Sequence, residues 1–244
     1  MGELIAHRGY PAHYPENSIA SIQAALATGA GYVEVDVQLS RDQFPVLFHD
    51  RDLKRLCHQS GAIHDYDWEQ LQQFTLHADS ELVLQQSQAP LASLGDLVAI
   101  MPTAPATQFF IELKRASIEQ FGASVMLSIV LPVLEPVKSQ CCLISFDLPI
   151  LERVRKETGF PIGVVIDNWG EREAPAISAL EPEYLFCNLN SFPKDGQLQY
   201  HGASLAAYET TNPSLARELM RRGVDLVETD AIGELRRELA ENQD

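Results

Sequence analysis

From residue 91 to the C-terminus one rhythm governs the chain: short apolar, strand-like runs alternate with stretches patterned as helices. A helix expected at Ser93 to Met101 precedes a strand at Gln108 to Leu113 and a helix at Ser117 to Leu131. A strand at Cys142 to Phe146, a helix at Pro149 to Thr158 and a strand at Ile162 to Ile166 follow. A helix near Pro175 to Leu180 and a strand at Tyr184 to Cys187 lead into a non-helical link containing Phe192-Pro193 and Asp195-Gly196. The series ends with a strand at Ser204 to Tyr208, a helix at Ser214 to Arg222, a strand at Asp225 to Val227 and a helix at Gly233 to Glu241. Strands separated by helices pair in parallel through crossovers.

The first fifty residues add two more strands. Leu4 to Ala6 runs into Gly9 and Pro11, and Gly31 to Val37 follows a helix that Asn17 or Ser18 caps and Gly29 closes. Phe44 to Phe48 is an extended piece that prolongs the second strand across the turn at Ser40 to Gln43. Eight strands in 244 residues point to a closed (β/α)8 barrel. A doubly wound open sheet is the alternative, but the chain has neither GxGxxG nor GxxxxGK[ST]. Residues 51 to about 90 are polar and irregular, with one short helix expected at Trp68 to Phe74, and read as an insertion. The whole of 1–244 is expected to be one domain.

A chain that is 45% hydrophobic and 21% charged can bury a large core. With 34 acidic residues against 18 basic, nucleic acid and anionic membrane surfaces are poor generic partners. A small anionic substrate is not excluded, because a local cluster of cations reverses the sign inside one cleft. There is no basic leader and no apolar run of about 20 residues, so neither a signal peptide nor a membrane span is expected. Cys57, Cys141, Cys142 and Cys187 lack CxxC spacing, which suits free thiols in a reducing cytoplasm.

In a parallel barrel the active site lies at the C-terminal strand ends. His7 and Arg8 end the first strand. Alternation puts Glu34, Asp36 and Gln38 on one face of the second and Val33, Val35 and Val37 on the other. Adjacent carboxylates repel unless a cation or a shared proton holds them. Glu112 and Lys114 repeat the pattern on the next strand, either as an ion pair or as a third carboxylate completing an oxygen site for Mg²⁺ or Ca²⁺. His7 and His49 would face each other across such a site, suited to moving protons. Arg8 and Lys114 would meet a phosphate. His13, His58, His64, His77 and His201 have no such setting. The combination fits hydrolysis of a phosphate ester. A metal-dependent aldolase or enolising barrel would use some of the same parts, and a non-catalytic barrel would leave the acids unexplained.

With these residues in view, the chain resembles the glycerophosphodiester phosphodiesterase family, relatives of the phosphatidylinositol-specific phospholipases C. The resemblance rests on His7-Arg8-Gly9, Pro15-Glu16-Asn17-Ser18, Glu34-Val35-Asp36, His49-Asp50 and Glu112-Leu113-Lys114. Ser145-Phe146, Gly223-Val224-Asp225 and Thr229-Asp230 extend it along the chain. It implies Glu34, Asp36 and Glu112 as ligands of one divalent cation, His7 and His49 as the acid–base pair, and Arg8 and Lys114 as phosphate ligands. It also implies that the segment after His49 helps to cover the glycerol end of a small-molecule glycerophosphodiester. The implied reaction gives glycerol 3-phosphate and an alcohol, by attack of water or first of the glycerol 2-hydroxyl. Two departures stand out. Gln43 occupies a turn position that usually carries Gly, and Tyr208-Glu209-Thr210 replaces a common Trp-Thr. Tyr208 could form a substrate wall, whereas Glu209 would bring negative charge towards an anionic substrate.

Overall fold

A computed structural model describes residues 2–78, 85–198, 200 and 202–241. Among them, eight parallel strands close into a barrel. In chain order these are β1 (Glu3–Ala6), β2 (Tyr32–Leu39), β3 (Gln108–Leu113), β4 (Cys141–Ser145), β5 (Ile162–Ile166), β6 (Tyr184–Asn188), β7 (Ser204–Tyr208) and β8 (Leu226–Thr229). Each pairs with its sequence neighbours, and β1 closes the ring by pairing with both β8 and β2. The fold is a (β/α)8 barrel, as the alternation predicts.

Alternation along the strands makes two cores. Outward residues such as Val33, Val35, Ile111 and Val227 pack under the helices. Inward residues, among them Ile5, Phe110, Ile144, Phe186 and Leu226, plug the barrel. Phe110 and Phe186 meet edge to face at 4.9 Å. This apolar plug leaves the polar side chains one pleat further on, at the C-terminal end.

Three local readings change. The helix expected over Ser117 to Leu131 is two helices, Arg115–Phe121 and Ala123–Leu134, bent by 118°. Gly122 breaks them at φ +85°, a conformation open mainly to glycine. Phe44 to Phe48 contributes Pro45–Leu47, which turns back antiparallel to β2 and pairs in turn with Ala92–Ser93. Gln43 makes that turn at φ +64°, the left-handed geometry for which the family commonly has Gly. The insertion is not merely irregular. Leu53, Leu56, Ile63, Leu71, Leu76 and neighbours form a core of their own beneath two short helices and a hairpin of Thr75–His77 with Gln88–Pro90. No single described helix is long and apolar enough to cross a membrane.

Candidate active site

The loop after β1 is held in an uncommon backbone shape. Arg8 and Gly9 both take positive φ, +52° and +92°. A Cβ on Gly9 would lie 2.7 Å from the Ser21 carbonyl carbon, so this position admits only glycine. The turn aims the Arg8 amide at Glu34 Oε2, 3.2 Å away. Ser18 caps the following helix by accepting from the Ser21 amide. Asn17 grips Asp36 at two points, donating to Oδ2 at 2.8 Å and accepting from the Asp36 amide at 3.1 Å. Gln38, deeper in the hairpin, donates to the carbonyls of Phe48, His49 and Asp50 and so fixes the chain that carries His49.

Register brings the carboxylates together. Asp36 lies opposite Glu112 across the β2–β3 ladder, and oxygens of Glu34, Asp36 and Glu112 fall within 4.8 Å of one another, all buried. Lys114 Nζ sits 3.0 Å from Asp36 and 2.9 Å from Glu112, so Glu112 belongs both to an ion pair and to the cluster. Burial opposes the Asp36 charge, but Lys114, Arg8, His49 and the Asn17 bond outweigh it and hold the pKa well below the carboxylate range. Glu34 goes the other way: burial, then the charge of Asp36, push it well up. Its Oε1 is buried with no hydrogen-bond partner. Such an oxygen is costly unless a cation meets it, so this all-oxygen donor set fits a hard divalent ion.

Each histidine is anchored through Nδ1. His7, 7% exposed, donates to Asp230 Oδ1 at 2.8 Å, with Glu209 Oε2 at 3.1 Å from the same nitrogen. Burial and Arg8 pull its pKa down, but the Asp230 bond and the charges of Glu228 and Asp230 lift it to about 10. His49 donates to Asp50 Oδ1 at 2.7 Å. Arg55, from the insertion, forks onto both oxygens of Asp50 at 2.7 and 2.8 Å and onto both oxygens of Glu16 at 2.8 and 2.9 Å. Glu16 in turn accepts from Arg8 at 2.9 Å. Arg8, like Lys114, also pairs with Asp36, at 3.1 Å.

His7, Arg8, Glu34, His49, Glu112 and Lys114 line one cavity of about 270 Å³, and Asp36 lies beneath it. Its other wall holds Phe146, Phe186, Tyr208, Glu209 and Glu228. The Tyr208 hydroxyl donates to the Ile166 carbonyl at 2.8 Å, so its ring forms wall while its polar tip is used by the fold. Glu228 escapes the sequence reading because the last strand was expected to stop at Val227. It continues to Thr229, and alternation from Leu226 would have turned Glu228 inward. Arg55 and Glu16 show no sequence signal for their shared role, since 39 residues separate them. His13 pairs with Glu234, His58 stacks on His77 in the insertion, and His64 also lies outside the cavity lining. His201 lies outside the described residues.

Comparison with known proteins bears on the family and the fold. A 71-residue stretch is 39% identical to a glycerophosphodiester phosphodiesterase of Bacillus altitudinis, covering 29% of each chain. A 106-residue stretch is 33% identical to human glycerophosphodiester phosphodiesterase 1, covering 43% of this chain and 32% of that one. These matches thus span less than a third of either relative's length. The fold superposes on a phosphodiesterase of Oleispira antarctica, solved with its product sn-glycerol-3-phosphate, with a TM-score of 0.80 at 22% identity over 98% and 97% of the two chains. A Thermotoga maritima glycerophosphodiester phosphodiesterase gives 0.75 at 24% over 97% and 98%. At those identities the likeness speaks for the fold. The family model for glycerophosphoryl diester phosphodiesterases matches residues 7–234, nearly the whole sequence, and the chain belongs to that family.

Proposed function

We propose that the protein is a phosphoric diester hydrolase that cleaves glycerophosphodiesters, such as glycerophosphocholine or glycerophosphoethanolamine, to sn-glycerol 3-phosphate and an alcohol in glycerophospholipid metabolism. One observation carries the reading: a three-carboxylate cluster, two imidazoles anchored through Nδ1, and the side chains of Arg8 and Lys114 converge on one cavity.

In this reading Arg8 and Lys114 take the phosphate oxygens, the first through its fork and the second as a point charge. Glu34, Asp36 and Glu112 would hold one divalent cation, Mg²⁺ or Ca²⁺, which would supply positive charge to stabilise the phosphate. In-line displacement puts the nucleophile and the leaving oxygen on opposite sides of phosphorus. Two proton-transfer groups are therefore needed. Asp230 and Asp50 occupy Nδ1 of His7 and His49, which leaves each Nε2 for the chemistry. One takes the proton of the attacking hydroxyl and the other supplies one to the departing alcohol. The nucleophile is water, or first the glycerol 2-hydroxyl with water completing the hydrolysis. Phe146 and Tyr208 supply an apolar stretch of the cavity wall. Four buried free cysteines support a cytoplasmic setting.

A coupled glycerol 3-phosphate assay over a panel of headgroups, with and without added metal, tests the reading. Metal-dependent release of glycerol 3-phosphate is the expected result. Binding without release would make the protein a carrier, and a cyclic phosphate as final product, seen by ³¹P NMR, would make it a lyase.

A further inference from the structure

The wall of the cavity opposite the carboxylate cluster carries chemistry that phosphate binding does not use. Glu228 is 4% exposed and lines the cavity, yet its side chain makes no hydrogen bond or ion pair among the described residues. Beside it on the neighbouring strand end stands Glu209, in the segment where the family commonly has Trp-Thr. His7 has a single Nδ1 hydrogen, which Asp230 accepts at 2.8 Å, so among the described residues Glu209 has the ion pair at 3.1 Å but no hydrogen bond of its own. The rings of Tyr208 and Phe186 share this wall. Glu209 also borders a second cavity of about 350 Å³, which gives the wall room on its outer side.

Two carboxyl groups with no hydrogen-bond donor among the described residues, set beside aromatic rings, are the chemistry that recognises an organic ammonium. Glu209 supplies charge, Glu228 supplies an acceptor oxygen whose ionisation an arriving cation favours, and the neighbouring rings supply an electron-rich surround. They are poor chemistry for a second anion. Arg8 and Lys114 are committed to carboxylates on the far side of the cavity, where the phosphate would bind. We propose that the β7–β8 wall is a subsite for an ammonium group, so that the protein selects phosphodiesters whose alcohol carries a positive charge. The inference rests on the phosphodiesterase reading and narrows its substrate class. Glu209 and Glu228 act here on selection among alcohols, not on bond cleavage.

The test compares kcat/KM for sn-glycero-3-phosphoethanolamine with that for its uncharged isostere, the propyl ester, using metal-supplemented full-length protein and ³¹P NMR of the products. Wild type is expected to favour the charged ester about tenfold or more. Glu209→Gln and Glu228→Gln keep the shape and remove the charge, and each should move the ratio towards one. Because the ratio is read, any common loss through His7 cancels. A wild-type ratio near one would overturn the inference alone. So would rates that fall equally for both esters in both variants, which would place the two acids on the common glycerol arm. Cleavage of neither ester would remove the phosphodiesterase reading and the inference with it. Should a variant fail to fold, inhibition of wild type by ethanolamine phosphate against propyl phosphate decides: equal inhibition overturns the subsite, and tighter binding of the charged compound supports it.

Discussion

The two sides of the cavity treat their carboxylates in opposite ways. On the side built from β2, β3, the loop after β1 and the insertion, most acids have donors fixed in place. Asp36 has Lys114, Arg8 and Asn17; Glu16 has Arg8 and Arg55; Asp50 has His49 and Arg55. On the β7–β8 side three acids, Glu209, Glu228 and Asp230, gather around the single imidazole of His7. The first side holds its charge and geometry before any ligand arrives, which is what stabilising a fixed phosphate requires. The second side offers three acids the one cation His7, and the rest of its complement has to come with the ligand. Glu34 sits at the seam, its Oε1 buried without a hydrogen-bond partner in the residue cluster it forms with Asp36 and Glu112.

The largest effects should come from the groups that join the two sides. His7→Ala and His49→Ala should each lower turnover by roughly 10²–10⁴-fold while the circular dichroism spectrum stays that of the folded barrel. Near wild-type turnover in either variant would sink the acid–base pair. Chelation with EDTA should remove activity to a similar extent, and added Mg²⁺ or Ca²⁺ should restore it. Full activity after exhaustive chelation would mean that Lys114 and Arg8 alone neutralise the first side.

The next effect separates the two sides by the sign of their pH dependence. Burial is the largest cause lifting Glu228 to about 8; His7 opposes it, and Glu209 and Glu112 add to it. A carboxyl whose pKa is raised on folding contributes stability below its unfolded value, and that contribution is lost as pH rises through the folded value. Metal-free wild type should therefore lose unfolding free energy between about pH 4.5 and 8 relative to Glu228→Gln, on the order of 2–4 kcal/mol. Urea titrations across that range measure it. Parallel curves for the two proteins would show that the β7–β8 side is balanced after all.

Much of this arrangement is legible in the residues themselves, and the remainder has identifiable reasons. Strand alternation puts Glu34 and Asp36 on one face and leaves Glu112 as either a third carboxylate or the partner of Lys114; that it is both follows from a register a single strand cannot reveal. The barrel follows from the βα rhythm alone. Glu228 is hidden because the apolar run marks the last strand only as far as Val227, and with period-two side chains a strand two residues longer turns an acid inward. Gly122 is passed over because its neighbours on both sides favour helix, although its positive φ bends the chain there. Arg55 is out of reach for another reason: its partners Glu16 and Asp50 meet only once the insertion has folded onto the barrel.

Arg55 gives the smallest and most specific prediction. Its guanidinium links the carboxylate that orients His49 to the carboxylate that holds Arg8, so it acts through other residues. Losing it should leave the charges near the phosphate in place and loosen their aim. Arg55→Met is expected to lower kcat about tenfold with a smaller change in KM, because His49 would no longer be fixed through Asp50. Arg55→Lys keeps the charge but not the fork, and should recover part of the loss. A rise in KM with kcat unchanged would shift the role from His49 to Arg8. Acid unfolding gives an independent reading. Burial opposes ionisation of Glu16 and Asp50, but hydrogen bonds and charge from Arg55, with His49 at Asp50 and Arg8 at Glu16, hold both pKa values down. Stability from such depressed carboxylates is present above their unfolded values and is lost as pH falls through the folded ones. Arg55→Met should therefore flatten the loss of stability below about pH 4, and an unchanged acid limb would mean that this side owes its balance to Arg8 and His49 without the insertion.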